Sequence, residues 1–260
     1  MPNFSLRWVP LWGLLLWLAS AVAVAQTPAS FRVLVYTRNG EGYVHENRAA
    51  SVEAIRGLGK THGFAVDASD DPAVFTDHNL RRYAVLIFSN TNNETFTTQA
   101  QKDAFQRYIR QGGGFVGLHS TSGSERQWPW FAQMLGGRFF RHPERQDFDV
   151  KVLDRTHPST DFLPDVWPVK DDECYYLKFL NPDMHVLLAA DLSTVTDDQK
   201  GEYPGDVFGG LCPLAWYHAF DGGRQWYTAL GHRPEQYQDP MLLRHILGGI
   251  QWAADKAATP

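Results

Sequence analysis

Four histidines stand where side chains could do chemistry together. His119 closes the run Gly112-Gly113-Gly114-Phe115-Val116-Gly117-Leu118, His45 ends a polar loop, His142 precedes Pro143, and His232 follows Gly231. Imidazole titrates near neutrality and can serve as base, hydrogen-bond partner or metal ligand. The pair Asp172-Glu173 adds two carboxylates just before Cys174-Tyr175-Tyr176. One of these acids could act as a general base or bind the paired hydroxyls of a sugar; both could equally be turn acids. Trp216, Tyr217 and Tyr227 could offer an aromatic face to a sugar ring, although such residues are more often core.

Each histidine taken alone also has a structural reading. Taken together they do not, because His45, His119 and His232 all follow expected strands in the same sense. His62, His78, His157, His185 and His245 read as structural or solvated side chains. Other chemistries lack their residues. No Gly-x-Ser-x-Gly elbow is present, and Gly112-Gly113-Gly114 ends a helix where a phosphate cradle would begin one. No short His or Cys spacing for zinc exists. A divalent metal held by His45, His119, His142, His232 and Glu173 stays open, because ligands need not be close in sequence.

The elements that must position these residues alternate. Phe31–Tyr36 is an apolar strand, and a helix from about Glu46 to Gly63 follows it. Strands at Phe64–Ala68 and Tyr83–Ser89 come next, then a helix capped by Thr97 or Thr98 with Ala104, Phe105, Tyr108 and Ile109 on its buried face. The Phe115–Leu118 strand completes a parallel β-α-β pattern. Beyond it the spacing predicts a helix at Trp128–Leu135 and strands at Phe148–Leu153, Glu173–Lys178, Met184–Ala190, Pro213–Phe220 and Gln225–Leu230. A last helix spans Pro240–Ala254, and Asp191–Asp206 reads as a surface loop. The expected fold is α/β, with helices on both faces of a parallel sheet.

Residues 1–25 read as an export signal. Arg7 precedes the apolar stretch Leu11–Ala19, and Ala23-Val24-Ala25 offers a small-x-small cleavage site before Gln26. Cleavage is favoured over an uncleaved anchor, because the apolar core is short for a span. The expected product is a periplasmic or secreted domain, residues 26–260, with no stable membrane span. The formal charge of −5 and the lack of a basic run argue against a nucleic-acid partner. Cys174 and Cys212 could pair in an oxidising compartment or stay as two buried thiols.

The motifs Gly113-Gly114-Phe115-Val116-Gly117-Leu118-His119, Gly137-Arg138-Phe139 with His142-Pro143, His157-Pro158, Asp172-Glu173-Cys174-Tyr175, Pro213-Leu214-Ala215-Trp216, Gly222-Gly223-Arg224 with Tyr227, and Leu230-Gly231-His232 occur in this order. With them the chain resembles the ThuA-like family, the trehalose-utilisation group, from about Phe31 to Ala254. The resemblance implies a class I glutamine amidotransferase-like, flavodoxin-like fold with extra late strands. Amidotransferases of that fold carry a nucleophilic cysteine on the elbow that His119 occupies here. Histidine cannot form the thioester of glutamine hydrolysis, so that activity is set aside. The family is linked to disaccharide use and 3-keto-glycoside chemistry. The resulting expectation is a sugar-processing protein with His119 or Glu173 as base, and with His45, His142, Asp172, Tyr175, Trp216 and His232 binding a small-molecule sugar. A non-catalytic carbohydrate-binding protein and a metal-dependent hydrolase are the alternatives.

Overall fold

The computed structural model describes Met1, residues 30–199 and residues 210–255. The export signal expected at 1–25 and part of the loop expected at Asp191–Asp206 lie outside the described residues. Five strands run parallel: β1 (Arg32–Tyr36), β2 (Ala65–Ser69), β3 (Val85–Ser89), β4 (Gly114–Leu118) and β11 (Gly223–Thr228). The helices are α1 (Arg48–His62), α2 (Asp77–Leu80), α3 (Gln99–Arg110), α4 (Pro129–Leu135) and α5 (Pro240–Ala254). Among the described residues no helix is long and apolar enough to cross a membrane.

The first half follows the expected pattern closely. Strands β1, β3 and β4 are buried on both faces, so each reads as a largely apolar run. Helix α1 stops at Gly63, whose φ of 78° is a left-handed conformation glycine adopts without strain. Thr98 caps α3 reciprocally with Gln101. In β4, neighbouring residues serve opposite faces. Phe115 packs on Phe105 of α3 and Phe131 of α4, while a Cβ on Gly114 would sit 2.3 Å from the Ala253 carbonyl oxygen of α5. Helices therefore cover both sides, and the backbone of α5 lies directly on the strand.

The second half departs from a purely parallel sheet. Beyond β11 the sheet continues with β10 (Leu211–Phe220), β9 (His185–Asp191), β6 (Gln146–Val152) and β7 (Val166–Asp172), all antiparallel to their neighbours. The full order is β2-β1-β3-β4-β11-β10-β9-β6-β7. The strand expected at Glu173–Lys178 is a correction: β7 stops at Asp172 and β8 begins only at Tyr176 (Tyr176–Lys178). Asp171, at a φ of 49°, bends the last residues of β7, and Glu173 to Tyr175 cross from there to β8 rather than continuing a strand. β8 pairs with β5 (Arg138–Arg141) in a separate two-stranded ribbon. Cys174 and Cys212 are both buried as free thiols, so the disulfide left open by the sequence is not formed.

Three histidines outside the strand-end cluster are deeply buried. His157, His218 and His245 have pKa values pushed down by burial, to about 4, about 4 and about 3. His245 Nδ1 donates to Ser159 O and His218 Nε2 donates to Met134 O, so each neutral ring is anchored by its N–H.

Two outcomes are expected. Gly114→Ala should lower stability by about 1–3 kcal/mol, because backbone rather than a mobile side chain must give way; a urea titration measures this. The unfolded chain protonates these histidines below about pH 6.5, whereas the folded chain resists until about pH 4. Stability should therefore fall as pH drops through that window, and the fall should be smaller in His245→Gln, read from urea midpoints across the window.

Candidate functional site

Parallel pairing sets the level of the site. Thr228 of β11 and Ser89 of β3 both lie opposite Leu118, the last residue of β4, so the strands end together. Ligands of open α/β sheets sit at this carboxyl edge. His119 follows β4 at a φ of 49°, a strained conformation for a non-glycine residue. Tyr227 braces that elbow by donating its hydroxyl to His119 O at 2.7 Å.

His119 is fully buried, and its orientation is set from behind. Its Nδ1 donates to Ala229 O at 2.7 Å, so in the neutral ring Nε2 is the unprotonated nitrogen. Around that nitrogen stand Tyr175 Oη at 3.0 Å, His232 Nδ1 at 3.2 Å and Glu173 Oε2 at 3.5 Å. Glu173 Oε2 is also 3.1 Å from His232 Nδ1, and its Oε1 is 3.4 Å from His142 Nε2. His45 packs edge-on against the rings of His119 and His232, with centroids 4.8 and 5.5 Å apart. One donor atom from each of His45, His119, His232 and Glu173 lies within 4.8 Å of all the others.

The electrostatics are those of a buried site. Burial, and then the neighbouring histidines, lower the His45 pKa to about 3, so this ring is neutral. Burial alone would raise the Glu173 carboxyl. The close approach of the His119 and His232 imidazoles outweighs it and holds the group well below the usual carboxylate range. Burial, then the Glu173 charge, pushes the Tyr175 phenol far up, so it acts as a donor.

Two expected ligand contacts are corrected. Trp216 is fully buried, donates Nε1 to Leu135 O and stacks on Tyr227, so it belongs to the core and cannot meet a sugar from solvent. Asp172 is fully buried and its oxygens are already spent. One accepts from Glu173 N and His232 N, the other from Gly231 N and the Gln236 side chain. Burial raises its pKa, but with two donors on each oxygen no lone pair is left for a proton. Asp172 thus positions Glu173 and His232 and touches no ligand.

His142 reaches the cluster from the rim with its side chain about a third exposed. Beside it opens a polar cleft of about 460 Å³, lined by Arg141, Glu144, Gln146 and Asp197 among others. Further site residues carry no sequence signal. Asn47 donates to Asn90 Oδ1 and Gly231 O, tying the His45 loop to the His232 loop. Tyr43, 62% exposed, stands edge-on to His45, and Phe139 packs on Tyr175. Only the adjacency of Asn47 to His45, and of Tyr43 to the same loop, could have hinted at them.

The architecture and the histidine at its elbow define a protein of the class I glutamine amidotransferase-like fold without the amidotransferase nucleophile. The ThuA family profile, described as trehalose utilisation, matches residues 32–253, and the chain belongs to that family. Among solved structures it is similar to a ThuA-like protein from Bacteroides uniformis, with 24% identity, a TM-score of 0.70, and coverage of 91% of this chain and 96% of that one. A ThuA-like protein from Parabacteroides merdae gives 19% identity, a TM-score of 0.68, and coverage of 90% and 92%. A cytoplasmic protein of Salmonella typhimurium gives 13%, 0.60, 86% and 98%. No curated protein matches the sequence.

Asp172→Asn should cost about 1–3 kcal/mol, because an amide nitrogen would face a backbone N–H that now has an acceptor. Thermal melting of the variant beside wild type measures this.

Proposed function

We propose that the chain is an exported sugar-processing enzyme that cleaves a 3-keto-glycoside by base-initiated elimination. The observation that carries this reading is the ionised Glu173 in the cluster, with the unprotonated Nε2 of His119 3.5 Å from its carboxylate. A carbonyl at C3 acidifies the C2 hydrogen of the sugar. Glu173 takes that proton and passes it inward to His119. The electron pair left on C2 forms a C1–C2 double bond as the C1–O bond breaks. The departing oxygen takes a proton from a donor at the rim, and His142 stands there. The products are an alcohol, or the second sugar, and an unsaturated 3-keto sugar.

The family description as trehalose utilisation supports a disaccharide or its oxidised form as substrate. The polar cleft beside His142 has room for a sugar ring and hydroxyl partners on several sides. Tyr43 is exposed at the other rim and offers the aromatic face that buried Trp216 cannot. Export rests on the N-terminal sequence pattern, residues 1–25.

His119→Ala should lower turnover of a 3-keto-disaccharide by at least on the order of 100-fold, with circular dichroism unchanged. Absorbance of the unsaturated keto product follows the reaction. Undiminished turnover would remove His119 from the mechanism. Saturable sugar binding with no conversion of any oxidised or unoxidised disaccharide would replace the enzyme with a carbohydrate-binding protein.

A further inference from the structure

We infer that His45, His119, His232 and Glu173 form a binding site for one divalent first-row transition ion. The inference does not rest on the sugar reading. It begins with distances. A tetrahedral ion with ligand bonds of about 2.0–2.1 Å separates its donor atoms by about 3.3–3.4 Å. The observed separations are 3.2 Å for His119 Nε2 to His232 Nδ1, 3.1 Å for His232 Nδ1 to Glu173 Oε2, and 3.5 Å for His119 Nε2 to Glu173 Oε2. Three donors thus already outline one face of a coordination tetrahedron, and His45 supplies the fourth within 4.8 Å.

The second observation is unspent bonding capacity. His45 is 4% exposed, and its Nδ1 is buried with no hydrogen-bond partner among the described residues. Glu173 Oε2 is likewise buried without a directional hydrogen bond, although two imidazole nitrogens crowd it. Buried polar atoms are nearly always satisfied, so two orphans on neighbouring residues of one cluster call for a missing partner.

Charge points the same way. Asp172 and Glu173 are both buried, and among the described residues no Lys or Arg forms an ion pair with either. Buried carboxylates are paired or coordinate metals. The surroundings also have the form of a metal site's outer shell. His119 donates its other nitrogen to a backbone carbonyl, and Asp172 fixes the backbone of both Glu173 and His232. Three imidazoles with one carboxylate suit zinc and its neighbours, whereas magnesium and calcium favour all-oxygen shells.

The test is calorimetric titration of the chelator-stripped full chain with Zn²⁺, with no sugar present. One Zn²⁺ should bind per chain and raise the melting temperature, and Mg²⁺ should do neither. Glu173→Gln and His45→Ala should each weaken binding by at least on the order of 100-fold, while His185→Ala, at an exposed histidine, should leave it unchanged. Co²⁺ should give the visible absorption of a four-coordinate ion in wild type and lose it in Glu173→Gln. Absence of saturable Zn²⁺ binding and of any melting shift in wild type would overturn the inference. So would equal affinity in wild type and a folded Glu173→Gln. Since ions are read without substrate, failure here leaves the elimination reading standing, and inert sugars leave this one standing.

Discussion

A carboxylate buried without a cation must gather hydrogen-bond donors, and Asp172 gathers four from three separate segments. The short stretch from Ala229 to His232 is where its demand meets the others. Gly231 N and His232 N go to Asp172, Gly231 O accepts from Asn47, and Ala229 O accepts from the His119 ring. A single loop after β11 therefore registers the end of β4, the loop after β1 and the crossing after β7 against one another. Without that convergence His45, His119, Glu173 and His232 would still sit at one edge of a sheet, but their donor atoms would not share a centre.

The elbow after β4 is the other half of the construction. A left-handed residue follows the end of β4, between two parallel neighbours that end at the same level. In amidotransferases of this fold the side chain there is a nucleophile. Here it is an imidazole with its proton fixed on the far nitrogen. The chain's two thiols lie buried in the core, with Cys212 Sγ 3.3 Å from Tyr175 O, and neither reaches the elbow. The strained conformation here presents an imidazole rather than a thiol, consistent with strain that serves to present a side chain.

Much of this was legible in the sequence, for a physical reason. Strands β1, β3 and β4 are buried on both faces and so carry largely apolar runs, and glycines mark where α1, α3 and α4 end. That was enough to place His45, His119 and His232 on one edge. The antiparallel half was less readable. Strand β7 carries Pro168, Lys170, Asp171 and Asp172 on the outer edge of the sheet, where one face is solvated, so its pattern resembles a loop. The break after Asp172 depends on contacts with residues some sixty positions away, which no local pattern records. Trp216 and Asp172 were misread because residue type does not reveal exposure. An aromatic on a central strand is core, and an acid with all its lone pairs occupied is scaffold.

Exposure also divides labour within the cluster. His119 is fully buried, and His45, His232 and Glu173 are nearly so, while His142 reaches the rim. In the proposed elimination Glu173 is the group that meets the sugar. As a lone base Glu173 is weak, since the surrounding imidazoles that keep it ionised also lower its proton affinity. It becomes competent only if what it receives is handed inward, either as a proton to the unprotonated nitrogen of His119 or as a share of the charge on a cation at the centre. The same short distances serve both, because a lone pair aimed inward at 3.1–3.5 Å from its neighbours can accept either. On the elimination proposed above the decisive event falls on the Glu173–His119 axis, which would move a proton, whereas a cation bound at the proposed centre would make the same axis polarise an oxygen.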